Sequence, residues 1–228
     1  MIYRTKFAVD NRTINKLWPL LKKQVKGLDV PWLENMANQS MQRDPFKVLI
    51  SCILSLRTQD KTTGIASERL FGLAPDVKTM SKLPAKTIEK TIYPVGFYKV
   101  KAQRIRELCN VLIRKYNAKV PAELDELLKL KGVGRKTANL VITLGYKKPG
   151  ICVDTHVHRI TNRWGYVKTK NPEQTEFALR EKLPPKYWLE INGLLVAFGQ
   201  GICRPISPIC SRCDINSFCE KVGVTVSR

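Results

Sequence analysis

The sequence is poor in acidic residues: 19 Asp and Glu stand against 40 Lys and Arg in 228 residues, for a formal net charge of +21. Such an excess of one sign destabilises a compact chain by self-repulsion unless an anionic partner screens it. The basic residues are spread along the chain rather than gathered in one tail. Nucleic acid is the first candidate partner, because binding to phosphates releases condensed counterions, and an anionic membrane surface is the alternative.

The sequence also lacks any apolar run near the roughly 18 residues needed to span a bilayer. The segment from Met1 to Lys16 has charged and polar residues throughout and no apolar core typical of a signal peptide. Low-complexity segments and internal repeats are absent as well. We therefore expect a soluble, monomeric, intracellular protein, cytoplasmic and, in a prokaryote, associated with the nucleoid. Its length fits one large domain or two small ones.

Strand-like alternation is absent and helical periodicity is frequent, so the sequence predicts an all-α fold. Asp44 before Pro45 is typical of a helix start, and the nearly all-apolar stretch that follows predicts a central, buried helix. The clearest amphipathic helix runs from Tyr98 to Asn117, and Lys101 lies off its apolar stripe. Further helices are expected at about Thr13 to Lys26, from Asn171-Pro172, and from Tyr187 to Gly199.

Two glycines, one residue apart, separate two helical patterns in the stretch LKGVGRK from Leu130 to Lys136. The pattern predicts a helix, a glycine hairpin and a second helix with Lys136 in its first turn. Glycine lets this backbone approach another molecule closely, and N–H groups there form a seat for a phosphate. An amine here, with Asp154 eighteen positions further on, favours attack on an electrophilic carbon. An ordinary helix–turn–helix corner fits the same pattern.

Seven cysteines fall into two groups. Cys52, Cys109 and Cys152 are isolated in apolar stretches, which predicts buried, small hydrophobic side chains. The other four crowd into the last 26 residues with the spacing C-x6-C-x2-C-x5-C; they are Cys203, Cys210, Cys213 and Cys219. In a reducing compartment this density indicates a metal centre rather than disulfides. The single C-x2-C pair favours a [4Fe–4S] cluster, with zinc as the alternative, because zinc usually takes two such pairs.

Taken together, these residues resemble the endonuclease III family of helix-hairpin-helix DNA glycosylases. The resemblance covers about Phe46 to Cys219 and rests on LKGVGRKTAN at Leu130 to Asn139, VDTHVHR at Val153 to Arg159, and the cysteine tail. It implies two α-domains flanking a DNA-binding groove. A six-helix domain with the hairpin would span residues 38–148, and residues 1–37 with 149–228 would form an iron–sulfur domain. The four tail cysteines would then be the ligands of a [4Fe–4S] cluster.

The resemblance implies base excision repair of duplex DNA that carries damaged bases or abasic sites. The enzyme would remove oxidised pyrimidines and cleave the abasic site by β-elimination through a lysine Schiff base. Carried over by motif, Lys136 is the nucleophile and Asp154 its carboxylate partner. Asp154 is also an ordinary helix N-cap, and we expect both roles to hold. The hairpin residues expected to grip the phosphate backbone are Lys131, Gly132, Val133, Gly134 and Arg135.

Three further residues are expected at the DNA. In this family the loop after the buried helix inserts a side chain into the DNA gap, and Arg57 stands there where glutamine is common in bacterial members. Phe97 stands in a second wedge loop where leucine is frequent. Both changes bear on lesion and opposite-base preference rather than on the chemistry. His156 is expected to be structural or to face a phosphate, whereas His158 is expected at the surface.

Two other functions stay open. A monofunctional mismatch-specific glycosylase has the same fold, but those relatives generally lack a lysine at the position of Lys136. A non-catalytic DNA-binding module would use the hairpin and the positive charge, but it would leave Lys136 and Asp154 without a task.

Overall fold

The computed structural model describes residues 9–28 and 44–228, and none of the described residues forms a strand, which confirms the all-α fold class. The helices, numbered in chain order among these residues, are α1 (Asn11–Lys26), α2 (Pro45–Ser55), α3 (Asp60–Leu73), α4 (Val77–Lys82), α5 (Ala85–Ile92), α6 (Tyr98–Tyr116), α7 (Leu124–Leu128), α8 (Arg135–Leu140), α9 (Thr155–Arg163), α10 (Pro172–Lys182) and α11 (Ile191–Gly201). A π-helical turn, Val141–Gly145, continues α8. Within the described ranges, no helix is long and apolar enough to cross a membrane.

The described residues divide into two compact units. One unit holds α1 together with the chain from Ile151 to Arg228, and the other holds α2 to α8 and ends at Gly150. The boundary expected between residues 37 and 38 lies outside the described residues. The other boundary falls two residues later than the position expected between residues 148 and 149.

The unit that carries the hairpin is built around α2. Asp44 caps this helix as predicted, because its carboxylate accepts hydrogen bonds from the N–H groups of Phe46 and Lys47 at 2.9 and 3.3 Å. Leu49, Ile50 and Leu54 are fully buried, which confirms that α2 is the central helix of this core. The helix that follows the hairpin, α8, packs on α2, and the loop that carries Arg57 continues directly from α2.

The other unit has its own core, in which α1 packs on α11. Asp10 caps α1 by accepting from the N–H of Thr13 at 2.8 Å. The side chain of Gln24, near the end of α1, donates to the carbonyl of Arg212 in the cysteine tail at 2.5 Å. The last helix starts later than predicted, at Ile191, because a 3₁₀ turn, Pro185–Tyr187, precedes it.

Candidate active site and metal centre

The hairpin between α7 and α8 has the form that its two glycines predict. Gly132 has a φ of +84°, a left-handed backbone conformation that favours glycine. Val133 closes the turn: its side chain is buried, and its N–H donates to the carbonyl of Leu130 at 3.0 Å. Gly134 is the N-cap of α8. Val133 therefore anchors the hairpin, while the exposed glycines present bare backbone.

Basic side chains flank this backbone. The Nζ of Lys131 lies 3.8 Å from a carboxylate oxygen of Glu107, and both side chains are exposed. An exposed ion pair contributes only about 0–1 kcal/mol, so Lys131 can exchange this partner for a phosphate at little cost. Arg135 is the first residue of α8, where backbone N–H groups have no partner within the helix. The hairpin and the start of α8 together suit an anion.

Lys136 is the second residue of α8, in the first turn as predicted, and it is exposed. Its charge acts on Cys52 in the neighbouring α2: burial raises the pKa of that thiol to about 11, and Lys136 opposes the rise. The amine thus lies near the central helix while remaining accessible to a ligand. An exposed lysine beside a hairpin that suits an anion can carry out nucleophilic attack on an electrophilic carbon.

Asp154 belongs to the other unit and is the N-cap of α9. Its Oδ1 accepts hydrogen bonds from the N–H groups of His156 and Val157, both at 2.9 Å. The residue is only 9% exposed. The expected capping role is confirmed. Both bonds end on Oδ1, so the cap uses only one of the two carboxylate oxygens.

The two histidines of α9 have different surroundings. His156 is half-buried, its Nδ1 lies 3.1 Å from a guanidinium nitrogen of Arg159, and Gly199 of α11 packs so closely that a Cβ there would clash with the ring. The surface position expected for His158 is wrong. It is half-buried, its Nδ1 lies 2.7 Å from the hydroxyl of Thr175, and burial lowers its pKa.

The structure brings together the two residues that the sequence assigns to separate wedge loops. Arg57 follows α2, Phe97 precedes α6, and the Arg57 guanidinium lies 5.7 Å from the centre of the Phe97 ring. Both side chains are exposed, that of Phe97 by 61%. They form one exposed pair on the unit that also carries Lys136.

Two buried cations were missed by the sequence analysis. Lys101 and Arg163 are only 5% and 8% exposed. The acceptors of the Lys101 ammonium lie more than 40 residues away in sequence, so no local pattern could indicate them. Arg163 stands four residues after Arg159, and this spacing, which places both on one face of α9, is the signal that could have found it.

The four tail cysteines line a single cavity. Its other walls are largely apolar and include Trp164, Phe198 and Ile215. The remaining cysteines, which the sequence predicts to be buried, lie apart from it: Cys109 and Cys152 are buried and Cys52 is half-buried. The tail cysteines lining this cavity are Cys203, Cys210, Cys213 and Cys219.

The donor set of the cavity fits a thiolate-bound metal cluster. A guanidinium nitrogen of Arg163 donates to the Sγ of Cys203 at 3.4 Å, and the N–H of Lys221 donates to the Sγ of Cys219 at 3.4 Å. Such donors stabilise negative charge on sulfur, and the thiolate is the form in which a cysteine binds a metal. In the part of the chain that the structure describes, no three Cys, His, Asp or Glu side chains are grouped closely enough to hold a single metal ion.

Comparisons with known proteins agree with these features. Residues 50–185 match the family described as HhH-GPD superfamily base excision DNA repair protein. Endonuclease III of Thermotoga maritima is 46% identical over 196 residues, which cover 82% of this chain and 92% of that protein. Endonuclease III homolog 2, chloroplastic, of Arabidopsis thaliana is 44% identical over 185 residues, and the match covers 76% of this chain and 47% of that protein.

A solved structure extends the comparison to three dimensions. It is the estranged-adenine complex of a trapped endonuclease III–DNA covalent intermediate, with a TM-score of 0.79 and 31% identity. The match covers 93% of this chain and 97% of that one. The hairpin, the all-α fold and these matches lead to one conclusion: the chain belongs to the endonuclease III family, within the HhH-GPD superfamily of base excision DNA repair proteins.

Proposed function

We propose that this chain is a base excision repair DNA glycosylase with associated AP lyase activity, acting on oxidised pyrimidines in duplex DNA. The observation that carries the proposal is the exposed amine of Lys136, in the first turn of α8 directly after the glycine hairpin. The trapped endonuclease III–DNA covalent intermediate, a relative at 31% identity, supports a covalent route. The net charge of +21 supports a polyanionic partner.

The chemistry follows from the residue types. The damaged base is turned out of the stack so that its glycosidic carbon becomes reachable. The neutral amine of Lys136 attacks C1′, the base leaves with the glycosidic electron pair and takes up a proton, and the opened sugar becomes a Schiff base. Loss of the C2′ proton then expels the 3′ phosphate. We assign the carboxylate partner to Asp154, whose charge stabilises the positive charge that develops on the sugar.

The phosphate grip is assigned to the hairpin. Lys131 and Arg135 supply charge, Gly132 and Gly134 supply close backbone, and buried Val133 keeps the turn in shape. His156, which belongs to the other unit, is assigned to DNA binding as a residue that faces a phosphate or supports one that does. A DNA repair enzyme of this kind works where the genome is, in the cytoplasm at the nucleoid if the source is prokaryotic.

The cofactor is assigned to the cysteine cavity. The ligands would be Cys203, Cys210, Cys213 and Cys219, and the group that best fits four thiolates on one short tail is a [4Fe–4S] cluster. When bound, it would supply a cross-link between four points of the tail and a redox-active centre. Arg163 and the N–H of Lys221 would donate to its thiolates. The tail would thereby gain stability that its short 3₁₀ turns do not provide.

Borohydride trapping on abasic DNA tests the proposed function. Borohydride reduces a Schiff base to a stable amine, so a bifunctional enzyme becomes covalently joined to its substrate. We expect cross-linked protein together with excision of thymine glycol and dihydrouracil. Excision without cross-linking would indicate a monofunctional glycosylase. Duplex binding with neither activity would indicate a DNA-binding module.

A further inference from the structure

Arg57 and Phe97 both have left-handed backbone conformations, with φ of +54° and +57°. Residues that carry a Cβ keep this conformation only where the surrounding structure holds it. The two side chains also meet at a distance typical of a cation–π contact, 5.7 Å from the guanidinium to the ring centre. Because both backbone conformations are strained and the two side chains are in contact, we expect buried interactions that hold the two loops together.

Lys101 provides that support. Its Nζ donates to the carbonyls of Leu54 and Leu56 at 2.7 and 2.6 Å and lies 3.1 Å from the hydroxyl of Thr58, so all three of its donors have acceptors. The carbonyls at the end of α2 have no partner within the helix and carry partial negative charge, which suits an ammonium. The backbone N–H of the same lysine donates to the carbonyl of Phe97 at 3.0 Å. That backbone bond is the first one of α6 and does not depend on the side chain, so the Lys101 ammonium ties the loop after α2 to the start of the helix that Phe97 caps.

Thr58 joins the two loops a second time. Its hydroxyl accepts from Lys101 and from the N–H of Gly96 at 3.1 Å, and it donates to the carbonyl of Leu56 at 3.3 Å. A Cβ on Gly96 would lie 2.5 Å from the carbonyl oxygen of Arg57, so the loop backbones touch where only glycine fits. The two loops are thus fixed to each other by Lys101, Thr58 and close backbone contact.

We propose that Lys101 is a positioning residue that holds Arg57 and Phe97 as one preformed wedge for the gap left by an extruded base. The inference rests on the proposed glycosylase function, since only extrusion leaves such a gap. A preformed wedge matters because loops that must become ordered on binding lose conformational entropy, and that loss weakens DNA binding. Without the hydrogen bonds of the Lys101 ammonium, the two loops relax separately. Arg57 and Phe97 then no longer enter the duplex as a unit.

The test uses Lys101→Met, which keeps the length of the side chain and removes its three donors. Two rates are measured under single turnover: excision of a lesion from duplex DNA, which requires the wedge, and borohydride cross-linking to an abasic site in a single-stranded oligonucleotide, which requires Lys136 but no gap filling. We expect the duplex rate to fall about ten- to a hundredfold, the scale of a misplaced substrate contact, with the single-strand rate within about twofold of wild type.

Lys99→Met is the matched control, because Lys99 is exposed in the same turn of α6 and should leave both rates unchanged. Thr58→Val is the second variant, for use if Lys101→Met does not fold. It removes the hydroxyl that joins the two loops with little change of shape, so it should also lower the duplex rate. Equal losses in both rates, tracking the folded fraction, would overturn the positioning role. A wild type that forms no cross-link would instead contradict the proposed function itself.

Discussion

The Oδ1 of Asp154 lies 2.9 Å from the backbone nitrogen of Val157, and the same oxygen accepts from His156. These bonds fix the carboxylate at the start of α9. Because they use one oxygen, Asp154 can cap the helix and serve a reaction at the same time. Substitutions can separate the two tasks, since asparagine caps a helix about as well as aspartate but carries no charge.

We expect Asp154→Asn to keep the free energy of unfolding within about 0.5 kcal/mol of wild type and to lower the rate of base excision strongly. Asp154→Ala should lower the rate as well and, in addition, lose about 1 kcal/mol of stability with the cap. Urea denaturation and single-turnover excision measure the two effects. Asp76→Asn, at the cap of α4, is the control for capping alone. If Asp154→Asn excises at the wild-type rate, Asp154 caps the helix but takes no part in the reaction.

Lys136→Gln should abolish base excision and borohydride cross-linking while leaving duplex binding nearly intact, because we assign most of the phosphate contact to the hairpin backbone. Lys131→Gln is the complementary variant, since Lys131 is exposed and has no assigned chemical task. It should keep cross-linking and reduce the salt dependence of duplex binding by about one unit. Binding titrations at several salt concentrations and a trapping gel check both. Wild-type cross-linking by Lys136→Gln refutes the assigned nucleophile.

The purified protein should absorb visible light as iron–sulfur thiolates do and contain about four irons per chain. Cys213→Ser should lose iron and loosen the tail, which its 3₁₀ turns hold only weakly. Cys109→Ala is the control, because that cysteine is buried in the core of the other unit and should leave the iron content unchanged. Iron analysis, absorbance and limited proteolysis measure these outcomes. Stoichiometric zinc without visible absorbance would show that the four cysteines bind zinc and not an iron–sulfur cluster.

Much of the site was predictable because its signals are local. The glycine spacing placed Lys136 in the first turn of α8, and Asp44 before Pro45 marked the start of α2. The environment of Lys101 was not predictable, since its acceptors come from a different helix end. For the same reason His158 was wrongly expected at the surface: its partner, Thr175, is brought to it only by tertiary packing.

The stability of the chain should depend on pH through Lys101. Burial lowers its pKa to about 8, against about 10.4 for a lysine in an unfolded chain. Between these pH values Lys101 is protonated more fully in the unfolded chain than in the folded one, so its contribution to the free energy of unfolding rises with pH. Lys101→Met removes this titration, whereas Lys99→Met leaves it in place.

We therefore expect the free energy of unfolding of wild type to increase relative to that of Lys101→Met as the pH rises from roughly 7.5 to 10. Urea denaturation at several pH values measures it. The corresponding difference for Lys99→Met should stay constant, since that side chain is exposed. A shift in the opposite direction would mean that the three acceptors of the ammonium raise its pKa more than burial lowers it.

Arg57 should set the opposite-base preference. If it fills the gap left by the extruded nucleotide, its guanidinium can donate to the orphaned base, and arginine prefers the acceptor-rich edge of guanine. Excision should then favour a lesion opposite guanine. Arg57→Ala should flatten that preference and weaken lesion binding by roughly 1–3 kcal/mol, the value of one good bidentate contact. The measurement is the excision rate of one lesion opposite each of the four bases.

The alternative is that Arg57 only touches a phosphate. Removing a phosphate contact weakens binding to all duplexes alike and lowers the salt dependence by about one unit. The contact with Phe97 favours the wedge, because it holds the guanidinium beside an apolar ring suited to stacking in a gap. Arg57→Lys separates the two roles, since lysine keeps the phosphate charge and loses the planar donor fork. An unchanged ratio among the four opposite bases in Arg57→Ala leaves only the phosphate contact.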